Sequence, residues 1–418
     1  MNPSSPLSEL IKTWTSPDDV PAQLARYHAL QDTFNHHFKT VDQAAVYRAP
    51  GRLEVIGNHT DHQHGQVIAA AIDRDTIAIA APNGTHQIHL ISHGYDPVTL
   101  DITPLPPNPD DYSTTSGLVR GLVAGFAKAG YPIGGLDVVV DSTIPSGSGL
   151  SSSASFELLM AVIFNHVFAQ DRLSPLDLAK MSQWVENTYF NKPSGLMDQC
   201  AIAVGGTVAI DFKDPKQPIV TPLSLEALGT EWTWLLVQVG HSHADLSHAY
   251  AQIVEDCRQV SAFFGKKVLR EVSQNMWLSH LKELSQAVPT RAILRAKHIL
   301  DENQRVELMV NALRSSSDAS IISLIQASGD SSIQYLGNII VPHADHQPLA
   351  LGLALAKSVL NGCGAVRVHG GGFGGSMLVV LPSSEVTRVS AALEAVLGDG
   401  AVMTVRPGSS GAKFLIDI

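Results

Sequence analysis

Cysteine is scarce in this sequence. The three present, Cys200, Cys257 and Cys363, lie far apart among 418 residues and form no C-x-x-C pair. That excludes a disulfide framework and a cysteine zinc site, and it points to a reducing compartment. Positive charge is also short. With 28 Lys and Arg against 39 Asp and Glu, a net charge of −11, the basic stripe needed to neutralise nucleic-acid phosphates is missing. No run approaches the roughly 18 consecutive apolar residues of a membrane span, and the opening MNPSSPLSELIKTW lacks the basic start and apolar core of a targeting segment. The expectation is a cytoplasmic protein, monomeric or weakly self-associating, that meets neither membrane nor nucleic acid. Any anion it handles must be held by local nests of backbone N–H groups and a metal rather than by bulk charge.

What is present is length and periodicity. The chain is long enough for two domains with separate cores. The first forty residues read as a helical arm broken by Pro17 and Pro21. From Ala45 the pattern becomes short β-type runs: VIAAAI from Val67, TIAIAA from Thr76 and QIHLIS from Gln87. PLPPNPDD, from Pro104, reads as a loop, the helical face of Leu118, Leu122, Val123 and Phe126 follows, and a strand spans Leu136 to Val140. Phe156, Leu159, Met160, Ile163, Phe164 and Val167 then fit the spacing of a buried helix. Beyond a boundary placed near residue 220 come the strand-like LLVQV, helical patterns over 243–264 and 291–313, and a last strand at FLIDI.

Four segments carry chemistry. In PSGSGLSSSAS, from Pro145 to Ser155, Gly147 and Gly149 permit positive φ, and the serines sit where the following helix leaves its first N–H groups unpaired. This is an anion site, although it lacks the lysine of the G-x-x-x-x-G-K-[ST] loop. APGRLEVIGNHTDHQHG, from Ala49 to Gly65, gathers Arg52, Glu54, Asn58, His59, Asp61 and His62 with the donor and acceptor density of a polyol pocket. A metal reading of His59, His62 and His64 is weak, because no other ligand set accompanies them. ENTYFNKPSGLMDQ, from Glu186, sets Asp198 in an apolar and glycine-rich context, as a base that accepts a hydroxyl proton requires, though a capping role fits equally well. HGGGFGGSM, from His369, is a glycine-rich turn before a strand.

Taken in order and at these separations, the four segments resemble the galactokinases of the GHMP small-molecule kinase family, a likeness extending over about nine tenths of the chain. RAKHILDENQRV, from Arg295, and FFGKKVLREV, from Phe263, match the sugar branch rather than mevalonate or homoserine kinases. The resemblance implies a two-domain α/β (α+β) GHMP kinase fold, with an N-terminal domain of the ribosomal-protein type over 1–220, a ferredoxin-like C-terminal domain over 221–418, and the active site in the cleft. It implies an ATP-dependent sugar 1-kinase working with Mg²⁺. Asp198 would accept the anomeric proton and Arg52 would stabilise the transferred phosphoryl group. ATP would lie on Gly147, Ser148, Gly149, Leu150, Ser151, Ser152 and Ser153, with Ser153 and Glu186 holding Mg²⁺. Asn58, His59, Thr60, Asp61 and Tyr250 would meet the sugar.

Two departures stand out. Asn58 replaces the glutamate usual in G-E-H-T-D, and His62 replaces a tyrosine. An amide there would remove a repulsion against a C6 carboxylate, so galacturonate or another C6-modified hexose stands as the alternative to galactose. In addition, SSIQYLGNIIVP, from Ser331, does not follow the family pattern. A non-catalytic sensor of galactose and ATP is the rival from another class; it would be favoured by loss of the phosphate loop, Asp198 or Arg52, all of which are present. His241, His243 and His248 read as surface or packing residues.

Overall fold

The structure is a computed structural model that describes residues 6–38, 43–103, 105–192, 194–240 and 247–418; His241 and His243 lie outside them. Helices α1 (Pro6–Ile11) and α2 (Val20–His37) lead into β1 (Ala45–Ile56), β2 (Gln66–Pro82), β3 (Gln87–Ser92) and β4 (Val98–Asp101). Next come α3 (Thr115–Lys128), β5 (Leu136–Ser142), α4 (Ser152–Ala169), α5 (Pro175–Thr188), α6 (Met197–Val204), β6 (Thr207–Asp211), β7 (Ile219–Leu223) and β8 (Trp232–Gln238). A helical stretch follows: α7 (Ser247–Phe263), α8 (Gln274–Ser279), α9 (Leu281–Ala287), α10 (Thr290–Arg314), α11 (Asp318–Ser331) and α12 (Pro348–Leu360). The chain closes with β9 (Ala365–His369), β10 (Ser376–Pro382), α13 (Val386–Leu397), β11 (Val402–Val405) and β12 (Lys413–Asp417).

The first sheet runs β12-β1-β2-β5-β3-β4, with β6 pairing to the leading part of β2 and β7 to β6; the second runs β11-β8-β10-β9. A division at residue 220 therefore cuts β7, and the last strand returns to the first sheet, where Ala45 pairs with Asp417. Apolar runs alone do not show this, because FLIDI would suit either sheet. VIAAAI and TIAIAA, read as separate runs, form one strand. The intervening Asp75 is buried and needs no turn, because Arg26 and Arg48 neutralise it within the sheet.

One face of the first sheet packs on α3 to α6, burying Leu118, Phe126, Leu158, Ile163 and Ile202. Its other face carries α1 and α2 through Ile11, Tyr27 and Phe34, and elsewhere meets α10, α11 and the second sheet through Leu53, Val306, Ile325 and Leu378. Helix α4 is long and apolar enough to cross a bilayer, but two thirds of it is buried in this core. Its apolarity is that of a central helix.

Candidate active site

In the middle of β1 the register with β2 slips between Pro50 and Arg52. There a Cβ on Gly51 would lie 3.0 Å from the Leu150 carbonyl, and the Arg52 N–H donates to that oxygen at 3.2 Å. Strand β1 thus touches the serine-rich loop backbone to backbone. From this point the Arg52 guanidinium reaches α6. Its Nε donates to Asp198 Oδ1 at 2.8 Å and its Nη2 to Oδ2 at 2.9 Å, while Nη1 donates to the Gly149 carbonyl. Ser151 Oγ also donates to Asp198 Oδ2. Burial raises the Asp198 pKa, but Arg52, Lys192 and Ser151 outweigh it and pull the value down to about 2. Asp198 is therefore ionised at neutral pH. Three of the five guanidinium donors are in use, which leaves two N–H bonds for a ligand.

The loop itself is bent by Gly147 and Gly149, at φ +73° and +80°, and by Ser151 at φ +62°. Leu150 is buried beneath it, and Ser148 Oγ donates to the Pro145 carbonyl at 2.7 Å. Ser151 precedes α4 without capping it, its hydroxyl being turned to Asp198. The first-turn N–H groups at Ser152 and Ser153 are therefore left to an incoming anion. Ser153 Oγ lies 3.4 Å from Glu186 Oε1. Glu186, buried on α5, accepts from Lys192 Nζ at 2.6 Å, Ser194 Oγ at 2.6 Å and Gln199 Nε2 at 2.7 Å. Beside it the buried Glu157 has no hydrogen-bond partner on either oxygen among the described residues, and burial followed by the Glu186 charge pushes its carboxyl well above the usual range. Neither Lys192 nor Glu157 follows from sequence patterning, since an isolated charge in a helix or loop carries no periodic signal.

The G-N-H-T-D segment divides. Asp61 faces this cluster: a Cβ on Gly195 would come within 2.0 Å of its Oδ2, and burial lifts its pKa to about 6. Thr60 is fully buried, and its single hydroxyl proton lies between the carbonyls of Gly57 at 2.8 Å and Gln66 at 2.6 Å. Asn58 is also fully buried. Its Nδ2 donates to Glu54 Oε1 at 3.0 Å and to the Gly370 carbonyl at 2.7 Å, and its Oδ1 accepts from Ser332 Oγ at 3.3 Å and Asn338 Nδ2 at 3.0 Å. Both donors and both lone pairs are used. In the structure the Asn58 and Thr60 side chains hold the motif in place, where the sequence led us to expect contacts with the sugar. The divergent segment after Ser331 supplies both donors to the Asn58 amide oxygen.

His59 and His62 form a directed chain. Leu269 N–H donates to Gln63 Oε1 at 3.1 Å, which turns Gln63 Nε2 toward His62 Nδ1 at 3.1 Å. His62 Nε2 then donates to His59 Nδ1 at 3.3 Å, and His59 Nε2 to the Gly371 carbonyl at 2.9 Å. Burial lowers both pKa values, that of His62 to about 3, so both rings are neutral. His62 offers no free donor for a C6 group. Tyr250, on α7, lies nearly parallel to His59 at 6.4 Å and donates to the Gly372 carbonyl at 3.1 Å. The sugar motif, Tyr250 and the glycine turn are thus in contact. Exposed His248 has no part in this.

Support comes from residues not singled out as site residues. Glu302, on α10, accepts from the N–H groups of Gly57 at 2.9 Å and Asn58 at 3.2 Å, and His298 bonds the Asn58 carbonyl at 3.0 Å. His369, at the head of the glycine turn, is buried and accepts from the Glu54 N–H at 3.1 Å. Burial, then Arg52 and Arg367, hold its pKa well below the usual value.

Residues 117–206 match the GHMP kinases N terminal domain, and residues 32–82 match the galactokinase galactose-binding signature. A galactokinase of Streptomyces coelicolor is 32% identical over 374 residues, 88% of this chain and 92% of the relative. One of Streptomyces lividans is 31% identical over 83% of this chain and 84% of its own length. Among solved structures, Lactococcus lactis galactokinase complexed with galactose superposes with a TM-score of 0.79 at 23% identity, covering 94% of this chain and 100% of that one. Methanococcus jannaschii mevalonate kinase gives 0.63 at 15% identity, covering 88% and 99%. The fold and the serine-rich loop define a GHMP kinase, the class expected from the motifs. Within that class, the identity and coverage of the curated relatives place the chain in the galactokinase family.

Proposed function

We propose that the protein transfers the terminal phosphoryl group of ATP to the anomeric hydroxyl of D-galactose, giving α-D-galactose 1-phosphate and ADP. The observation that carries this reading is the Arg52–Asp198–Ser151 cluster, placed where the loop meets α6 and beside Asp61. Phosphoryl transfer asks mainly for positioning and charge stabilisation. Asp198 receives the hydroxyl proton on a carboxylate oxygen as the new O–P bond forms. The two remaining Arg52 N–H bonds face the charge that develops on the phosphoryl oxygens. Asp61, His59 and Tyr250 orient the sugar, and the loop from Gly147 to Ser153 cradles the phosphates.

Mg²⁺ fits Ser153 and Glu186, whose oxygens stand close enough to share one ion. Among the described residues no group of three His, Cys, Asp or Glu gathers to hold a metal. Such an ion would complete its shell with phosphate oxygens and water, and when bound it neutralises charge between the phosphates. The C6-carboxylate alternative loses its support, because Asn58 and His62 spend their hydrogen bonds within the protein.

The test is ATP-dependent phosphorylation of D-galactose, D-galacturonate and D-glucose at matched concentration, with Asp198→Ala alongside. Galactose should be preferred, and Asp198→Ala should lower kcat by about 10²-fold or more with ATP affinity largely kept. Preference for galacturonate, or an active Asp198→Ala, would overturn the reading.

A further inference from the structure

The serine-rich loop carries no lysine of its own, so the positive charge that meets a triphosphate must come from elsewhere. Arg52 supplies part of it, but its charge is matched by the two-point pair with Asp198. Another cation nearby is Lys192, in the connection between α5 and α6. Its Nζ donates to Glu186 Oε1 at 2.6 Å, the same oxygen that faces Ser153 Oγ. Among the described residues Glu186 is its only hydrogen-bond partner, so two of its three N–H bonds are unspent. The side chain is 48% exposed while the carboxylate it meets is 1% exposed, so the ammonium sits at the open edge of a buried anion. Burial lowers the Lys192 pKa, but Glu186 and then Asp198 more than restore it, which places the ammonium within the field of the reacting groups.

We propose that Lys192 is a phosphate-binding residue of this site, held by Glu186 in the free protein and turned by its two unspent donors to the terminal phosphates when the nucleotide arrives, which releases Glu186 to a divalent cation. A metal ion and an ammonium compete for the Glu186 oxygen. A flexible four-carbon stem with spare donors is suited to give way, which a rigid guanidinium in a two-point pair is not. Lys192 thus keeps Glu186 satisfied before the nucleotide arrives and adds one charge-assisted contact after it.

The inference rests on the reading that the loop holds nucleotide phosphates, and the experiment separates the two. ATP binding is measured by calorimetry with excess EDTA and again with Mg²⁺, using the wild-type protein, Lys192→Met and Lys192→Arg. Lys192→Met should bind metal-free ATP about tenfold more weakly, the scale of one hydrogen bond to a charged group, and should gain more affinity than wild type on adding Mg²⁺. Lys192→Arg should retain most of the metal-free affinity. Wild-type affinity for metal-free ATP in a folded Lys192→Met would overturn this proposal alone. Failure of the wild-type protein to bind ATP under either condition would overturn the phosphate-loop reading and this inference with it.

Discussion

Asn58 marks the position at which sequence and structure diverge most instructively. Its neighbourhood in the sequence, between a glycine and His59, suggests a ligand contact, yet every hydrogen-bonding position of its amide is filled by protein at full burial. Glutamate here would point a carboxylate at Glu54 and at the Gly370 carbonyl, where two donated hydrogen bonds now stand. Asn58→Glu is expected to cost about 3 kcal/mol, seen as a lowered thermal midpoint, rather than to change which sugar is used. A folded variant of normal stability with altered sugar preference would contradict this. The residue's chemical type was legible from sequence, but its orientation was not: its partners Ser332, Asn338 and Glu54 come from segments far apart in the chain. Arg52, Asp198, Ser153 and Glu186 fare differently. Arg52, Asp198 and Ser153 stand out in their motifs and Glu186 enters through the family resemblance, and the fold joins Arg52 to Asp198 and Ser153 to Glu186.

At the scale of elements, the serine-rich loop and α4 were the most readable part of the molecule. The helical spacing from Phe156 to Val167 fits α4, and the two glycines of the loop adopt the left-handed conformation that only glycine takes freely. Sequence does not indicate what the loop leans on. A Cβ on Gly149 would lie 2.8 Å from Ser376 Oγ and 3.3 Å from His369 Nδ1. The loop and the glycine turn of the distant second sheet therefore set each other's position. Gly149→Ala should cost about 1–3 kcal/mol through backbone strain and this contact, and it should weaken ATP binding with the sugar residues untouched. Thermal unfolding together with an ATP titration checks both. Strand β2 was harder to read, because Asp75 suggests a turn until Arg26 and Arg48 are known to meet it.

Across the whole molecule, the sugar motif is held by helices that follow the second sheet's first strand. Glu302 is the centre of that clamp: it binds two backbone N–H groups of the motif, Ser328 at 2.5 Å and Arg305 at 2.6 Å. Burial raises its pKa, but Arg305, His298 and Arg367 outweigh burial and bring it to about 2. With Asp198 also near 2, both carboxylates are ionised in the folded state at pH values where the unfolded chain takes up protons. Their stabilisation is complete above about pH 4.5 and is lost as the pH falls through 2. Glu302→Gln should therefore lower stability near neutrality by about 3 kcal/mol and flatten the acid limb between pH 4.5 and 2, read from thermal midpoints against pH. An unchanged acid limb would remove Glu302 from the clamp.

The pairing of β12 with β1 bears also on how the chain is made. The ribosome delivers β1 early and its outer neighbour only after the whole second sheet has been synthesised. At roughly 5–20 residues per second, the outer edge of β1 stands open for tens of seconds. During that interval a nascent chain offers an unpaired strand edge to its surroundings, so chaperone demand should be greatest just before the final strand emerges.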